Sequence, residues 1–284
     1  KVRENGMDCG EILDAAKKGG IESLYVLGED IVSMFPDADF AKEAVSNVKF
    51  LVVQDTFLSE TAKLADVVLP GATFAEKDGT FTNQEGRVQR VRKVIPCVGD
   101  SRDDLNILCG IGGFKYKSAK DVFEDIKKEV AGHRDIDFDA LDGNGALVKG
   151  PGVKGMPFTV KSQESGVRSQ RQEARDDSEY PFLLLTGNHL FHSGRLSQNA
   201  DILMQLLSEP FVEISEDDAR EMGLNDKDKV RVRSKGYEAV LNLRVVKGSQ
   251  KGVAFIPENF DSVSVNRFYK RGEGIPRVRI AKLP

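Results

Sequence analysis

The stretch LVVQDTFLSETAKLADVVLP, residues 51–70, joins an apolar run to a polar turn and then to a second apolar run. This pattern predicts a strand over 50–54, a short helix over 58–65 and a strand that ends at Pro70. Upstream, SLYVL predicts a strand over 23–27, and DADFAKEAVSNV predicts the helix that follows it. Strands that alternate with helices indicate crossover units in a parallel sheet, and uniformly apolar strands indicate a sheet covered on both faces.

The polar turn after residue 54 is placed where such a sheet binds ligands. In an open parallel sheet, ligands lie at the carboxyl ends of the strands, so the loops 28–30 and 55–57 are expected side by side. Asp55 could accept hydrogen bonds from the amidine edge of a purine, while Ser59 and Thr61 could bind hydroxyl or phosphate groups. Asp55 and Ser59 could equally serve only to cap the next helix. The spacing leaves both interpretations open.

Composition excludes several classes of function. The chain has 284 residues, with 41 basic and 45 acidic side chains and a net charge of -4. That balance provides no field to attract nucleic acid or anionic lipid. No apolar stretch is long enough to span a membrane, so we expect no direct membrane insertion. The chain begins without Met in charged sequence, which suggests an excised portion of a longer protein.

Metal chemistry has little support in the sequence. The three cysteines are far apart and form no Cys-x-x-Cys pair. An iron-sulfur cluster or a structural zinc needs about four convergent thiolates or imidazoles. His189 and His192 lie close together but have no third ligand near them in the sequence. We therefore expect no metal site in this chain.

The chain changes character twice after Pro70. A hairpin, TFTN paired with RVQRVRKV, and two helices complete a first region that ends at residue 131. From 132 to 179 the sequence is rich in Gly, Ser, Gln and charge, which predicts a linker. From 180 to 284, many short alternating strands around one short helix predict a closed barrel.

Four segments together resemble the molybdopterin oxidoreductase superfamily. They are VVQDTFLSETAKLADVVLP, EKDGTFTNQEGRVQ, TGNHLFHSG and VEISEDDAREMGLNDKDKVRVRSKG, in that family's order. The resemblance is to the C-terminal part of the family. It implies an α/β fold: a Rossmann-like parallel sheet domain with a returning segment of the neighbouring domain over 1–131, a linker over 132–179, and a double-psi β-barrel domain over 180–284.

The resemblance also implies a cofactor site. In the molybdenum members, the sheet edge holds the guanine end of molybdopterin guanine dinucleotide, and a barrel turn binds the pterins. The positions that match the family's motifs are Gly28, Asp30, Asp55 and Thr61 on the nucleotide side and Thr186, Gly187, His192 and Asn266 on the barrel side. The turn TGNHLFHSGRLS departs from the family pattern, since Asn188 replaces a phosphate-binding Arg and Arg195 adds bulk. These departures imply that the site is vestigial and that this chain holds no cofactor.

Three functions are open at this point. The first is a non-catalytic scaffold in the branch of the family found in respiratory NADH-quinone oxidoreductases, with iron-sulfur clusters only in upstream sequence. Its expected partners are other subunits of such a complex and upstream domains of the same polypeptide, at the cytoplasmic face of the membrane. The second is a fragment of a formate dehydrogenase that binds molybdopterin guanine dinucleotide. The third is a free-standing nucleotide-binding module.

Overall fold

A computed structural model describes residues 6–141, 143–148, 179–189, 194–206 and 209–283. The helices are α1 (Cys9–Lys17), α2 (Ile31–Met34), α3 (Ala38–Ser46), α4 (Asp104–Gly112), α5 (Ala119–Glu129), α6 (Asp201–Leu206) and α7 (Glu216–Glu221). The strands are β1 (Ser23–Leu27), β2 (Phe50–Asp55), β3 (Val67–Pro70), β4 (Gly79–Thr82), β5 (Arg87–Val91), β6 (Ala146–Leu147), β7 (Phe182–Gly187), β8 (Phe211–Ser215), β9 (Lys229–Arg233), β10 (Glu238–Val246), β11 (Val253–Pro257) and β12 (Arg277–Lys282). No described helix has both the length and the apolar composition needed to cross a membrane.

The chain divides into two compact units. One, the sheet unit, consists of Glu22–Glu29 and Lys49–Arg168, and the other, the barrel unit, consists of Lys1–Ile21, Asp30–Val48 and Ser169–Pro284. Residues 149–178, the main part of the predicted linker, lie outside the described residues. The domain boundaries at 131 and 180 therefore stay a prediction.

The sheet unit contains the predicted parallel sheet, in the order β1-β2-β3. Leu51 and Val53 are buried on one face. The opposite face carries Leu27 and Phe50, which are 48% and 46% exposed, together with Val67. Parallel sheets are usually covered on both faces. The second cover is incomplete among the described residues: on this face Gln54 is buried, whereas Leu27 and Phe50 are largely exposed.

The helix predicted over 58–65 is shorter in the structure. Only one 3-10 turn forms there, at Ala62–Leu64. The Ser59 hydroxyl accepts a hydrogen bond from the Ala62 backbone N–H at 3.3 Å, and Asp66 accepts one from the Leu51 N–H at 2.7 Å. These two hydrogen bonds fix the connection between β2 and β3. Because this connection is short, a single helical turn forms in it and no longer helix.

A second, antiparallel sheet in the same unit has the order β4-β5-β6 and includes the predicted hairpin. Phe123 of α5 packs there in a small buried cluster with Val88, Ile136, Phe138 and Leu141. Three of these residues, and strand β6, come from the sequence expected to begin the linker. That part of the chain is thus packed, because its apolar side chains cover the hairpin.

The barrel unit contains a closed barrel with strand order β10-β8-β11-β7-β12-β9. It combines parallel pairs, β7 with β11 and β8 with β10, with antiparallel ones, as a double-psi barrel does. Its core includes Leu184, Val212, Val230 and Ile256, which are fully buried. Ser215 caps α7 by accepting from the Asp218 N–H at 3.1 Å. The predicted α/β fold class, with a parallel sheet and a closed barrel, is confirmed.

Within the barrel unit, α3 is tied to the loop before β12 through Asp37. This residue has a left-handed backbone (φ 67°) and is 8% exposed. Its carboxylate accepts from Lys270 Nζ at 3.1 Å, the Arg271 N–H at 3.1 Å and the Phe40 N–H at 3.3 Å. One carboxylate therefore caps α3 and also fixes a loop more than two hundred residues away in sequence.

Candidate functional site at the carboxyl edge of the parallel sheet

A pocket of about 400 Å³ lies in the sheet unit where β1 and β2 end. Its walls include Gly28, Asp55 and Thr56 from the ends of these strands. Lys77 and Asp104 come from the segment that follows β3. The pocket is thus at the edge where the sequence predicted a ligand, and it brings Gly28 and Asp55 together.

Backbone geometry shapes the strand side of this pocket. Gly28 has φ 64°, and its N–H donates to the Gln54 carbonyl at 2.8 Å. A left-handed φ of this kind is adopted most easily by glycine. Asp55 accepts the Thr56 N–H on its carboxylate at 2.7 Å, and its carbonyl accepts the Gly71 N–H at 2.9 Å. Asp55 therefore fixes its own turn and does not cap the 3-10 turn at Ala62–Leu64, while its side chain stays in the pocket wall.

Hydrogen bonds connect Tyr25 to three residues that line the pocket, Gln54, Asp104 and Lys77. Gln54 is 1% exposed, and its carbonyl oxygen accepts from the Tyr25 hydroxyl at 2.5 Å. Its amide nitrogen donates to Asp104 Oδ1 at 2.6 Å, and Asp104 Oδ2 accepts from Lys77 Nζ. Burial, and then the nearby Asp104 carboxylate, raise the pKa of the Tyr25 hydroxyl above its ordinary value. Both hydrogen-bonding groups of the buried amide are satisfied, so this polar chain is stable in the fold.

The pocket lining is acidic. Its carboxylates are Asp55, Asp78, Asp103 and Asp104, and Lys77 is the one ammonium among these described lining residues. Lys77 is already paired with Asp104. Such a lining favours groups that donate N–H hydrogen bonds and disfavours anions.

Sequence reasoning did not find Gln54, Lys77 or Asp104. The available signal for Gln54 was a polar residue at the end of the apolar run FLVV. Lys77 lies in the family-like segment EKDGTFTNQEGRVQ, but it meets Asp104 only in the folded chain.

The remaining predicted nucleotide-side residues do not line this pocket. Thr61 is fully buried beside the 3-10 turn. Asp30 directly precedes α2 and belongs to the barrel unit.

Three of the four predicted barrel-side residues are described, and they lie in or next to the barrel. Thr186 and Gly187 end β7, where the Thr186 hydroxyl is 3.0 Å from the Tyr269 hydroxyl. The side-chain amide of Asn266 donates to the Ser33 carbonyl at 2.6 Å, so this amide has a structural contact. His192 lies outside the described residues.

The turn after β7 is held by buried contacts. The His189 N–H donates to the side-chain oxygen of Asn259 at 3.2 Å, and Asn259 is fully buried. The His189 and Phe211 rings form a T-shaped contact with a centroid distance of 6.1 Å. Asn188, where the family pattern has Arg, is exposed.

Two family models match the chain. The model for molybdopterin oxidoreductase matches residues 4–113, and the model for the molybdopterin dinucleotide binding domain matches residues 182–277. The chain belongs to the molybdopterin oxidoreductase family.

Curated relatives of this family member are subunits of several oxidoreductases. The G 2 subunit of NADH-quinone oxidoreductase from Rhizobium meliloti (strain 1021) is 34% identical over 279 residues, covering 95% of this chain and 31% of the relative. The alpha subunit of F420-dependent formate dehydrogenase from Methanocaldococcus jannaschii is 35% identical over 282 residues, covering 92% of this chain and 42% of the relative. The alpha subunit of NADPH-Fe(3+) oxidoreductase from Geobacter sulfurreducens (strain DL-1 / KN400) is 28% identical, covering 98% and 32%. This molybdopterin oxidoreductase family member thus spans between 31% and 42% of the length of these relatives.

A solved structure supports the fold. Acetylene hydratase from Pelobacter acetylenicus superposes with a TM-score of 0.71 at 14% sequence identity, covering 96% of this chain and 46% of that chain. At this level of identity the likeness concerns the fold alone.

The lining of the sheet-edge pocket can be compared with the cofactor that the family implies. A molybdopterin dinucleotide carries an anionic diphosphate and a purine whose edge donates N–H groups. The carboxylate of Asp55 suits such a purine edge. The acidic lining as a whole, with Lys77 bound to Asp104, does not suit the diphosphate. The residues of this pocket therefore fit only part of the cofactor.

Proposed function

We propose that the chain is the C-terminal portion of a G-type subunit of an NADH-quinone oxidoreductase. In this proposal, the fold that binds a molybdopterin dinucleotide in other family members serves here as a non-catalytic scaffold. The observation that carries this proposal is the acidic pocket, whose ammonium group, Lys77, is neutralised by Asp104. A pocket of this charge supports the loss of a diphosphate-bearing cofactor. In this proposal the chain supports electron transfer from NADH to quinone without carrying the electrons itself.

The electron carriers belong to other sequence in this proposal. Among the described residues, no three His, Cys, Asp or Glu side chains come together to hold a metal ion. Iron-sulfur clusters would then be bound by upstream sequence of the longer polypeptide.

Exposed apolar side chains on α4 and on the parallel sheet support binding to partner domains or subunits. Helix α4 has no buried residue, and Leu108 and Ile111 in it are 41% and 62% exposed. The partly covered face of the parallel sheet adds Leu27 and Phe50. Exposed apolar side chains that cluster into a patch usually mark an interaction site, and we infer such a site here. We infer that upstream domains of the same polypeptide and other subunits of the complex cover these surfaces, with the complex at the cytoplasmic face of the membrane.

A formate dehydrogenase-like fragment is the second candidate. It is favoured by the 35% identity to a formate dehydrogenase alpha subunit and by the placement of Gly28 and Asp55 in one pocket. In that case the chain would complete a site for molybdopterin guanine dinucleotide. A free-standing nucleotide-binding module is the third candidate, supported by the same pocket.

Turnover assays test the scaffold role. The purified chain is expected to oxidise neither formate nor NADH with an artificial electron acceptor. The matched control is a characterised formate dehydrogenase, assayed in the same buffer. Measurable turnover by the purified chain, scaling with protein concentration, would contradict the proposal.

A further inference from the structure

The ion pair between Lys77 and Asp104 explains why the sheet-edge pocket does not suit a diphosphate. Lys77 is the only cationic side chain among the described residues that line the pocket. It is paired with Asp104, and the two side chains are 26% and 31% exposed. The ammonium group that would bind a phosphate is therefore already neutralised.

Both carboxylate oxygens of Asp104 accept hydrogen bonds that fix its side chain. Oδ1 accepts from the amide of the buried Gln54 at 2.6 Å, and Oδ2 accepts from Lys77. Gln54 is in turn fixed by the Tyr25 hydroxyl at 2.5 Å. Asp104 is also the first residue of α4, so its backbone is set by the helix. The carboxylate cannot turn away from Lys77 without breaking its partly buried hydrogen bond to Gln54 and leaving the buried amide unpaired, which is costly.

We propose that Asp104 is a specificity-determining residue that excludes phosphate-bearing ligands from the sheet-edge pocket. It does so by neutralising Lys77 and by adding to the negative charge of Asp55 and Asp78. A phosphate entering the pocket would have to displace the carboxylate from Lys77 and then remain close to the other acidic groups. An uncharged nucleoside neither competes with Asp104 for Lys77 nor is repelled by the other carboxylates. This inference rests on the proposed function, in which the pocket does not hold the family's cofactor.

The substitution Asp104→Asn tests the proposal. Asparagine keeps a carbonyl oxygen for the Gln54 amide but releases Lys77 from its ion pair. We expect the affinity for GDP to rise about tenfold, since a hydrogen bond to a charged group is worth roughly that factor. The affinity for guanosine, which has no phosphate, is expected to stay unchanged. Both are measured by NMR titration of the full chain, with the thermal midpoint as a check on folding.

A matched control separates ion pairing from overall charge. Asp78→Asn removes the same formal charge from the pocket lining, whereas the contact of Asp78 is with the Lys93 N–H. Its effect on GDP affinity is expected to be clearly smaller than that of Asp104→Asn. Adding Lys77→Gln to Asp104→Asn is expected to abolish the gain.

Several results would overturn the inference. These are an Asp104→Asn variant that binds GDP no better than the wild type, an equal gain for guanosine, or an equal gain in Asp78→Asn. The wild-type protein provides a test that needs no variant to fold: guanosine should bind at least as tightly as GDP, and tighter binding of GDP would overturn the inference. Stoichiometric pterin in the wild-type protein would instead contradict the proposed function, so the two failures are distinguishable.

Discussion

Replacing Asp37 with alanine tests how the barrel unit is held together. The change removes the N-cap of α3, which is worth about 1 kcal/mol. It also places alanine in the left-handed region, which costs about 1 kcal/mol more. Loss of the bonds to Lys270 and the Arg271 N–H adds about 1 to 2 kcal/mol, which is less than the usual contribution of charged hydrogen bonds because Lys270 is 32% exposed. We expect the free energy of unfolding to fall by about 3 to 4 kcal/mol.

The assay is urea unfolding followed by circular dichroism, because the chain has no Trp to report by fluorescence. Asp39→Ala is the control. Asp39 pairs with Arg267 at 2.8 Å, but its side chain is 42% exposed. An exposed pair of this kind contributes about 0 to 1 kcal/mol. Equal destabilisation by Asp37→Ala and Asp39→Ala would refute the conclusion that Asp37 is the residue that holds α3 to the loop before β12.

Three further outcomes are expected. Burial by itself raises the pKa of the Asp37 carboxyl, but hydrogen bonds from Arg271, Lys270 and Phe40 outweigh it and hold this pKa below its ordinary value. The stability that wild type gains over Asp37→Asn should therefore be present above about pH 4 and disappear as the pH falls below it, in urea titrations at several pH values; a pH-independent difference would contradict this. Leu184→Ala in the barrel core should lower the free energy of unfolding by about 2 to 5 kcal/mol, and Leu185→Ala, which is 43% exposed, by under about 1 kcal/mol. Limited proteolysis should cut first between residues 150 and 179, whereas early cuts within 50–70 would contradict the domain assignment.

Local patterns predicted much of the fold. Asp8 and Ser118 each form a capping box with the acidic residue three positions on, a spacing that can be read directly from the sequence. The alternation after residue 180 predicted the barrel strands, because side chains in a strand point in turn to the core and to solvent. Features that depend on neighbouring residues could therefore be read from the sequence.

Features that depend on distant residues could not. Gln54 and Asp104 are 50 positions apart, and Asn266 and Ser33 are 233 apart. No local pattern pairs such residues, so the acidic pocket and the structural contact of the Asn266 amide became visible only in the fold. The strand pattern placed Gly28 and Asp55 at the sheet edge, and the structure then added the ion pair between Lys77 and Asp104.

The measurement that tests the scaffold role most directly is the cofactor content of the purified protein and of its full-length parent. Elemental analysis for molybdenum and tungsten is combined with the fluorescence of oxidised pterin. We predict neither metal nor pterin above background in both samples. Stoichiometric pterin in the parent would contradict the scaffold role and favour the molybdoenzyme alternative. Loss of that pterin in Asp55→Ala would then assign it to the sheet-edge pocket.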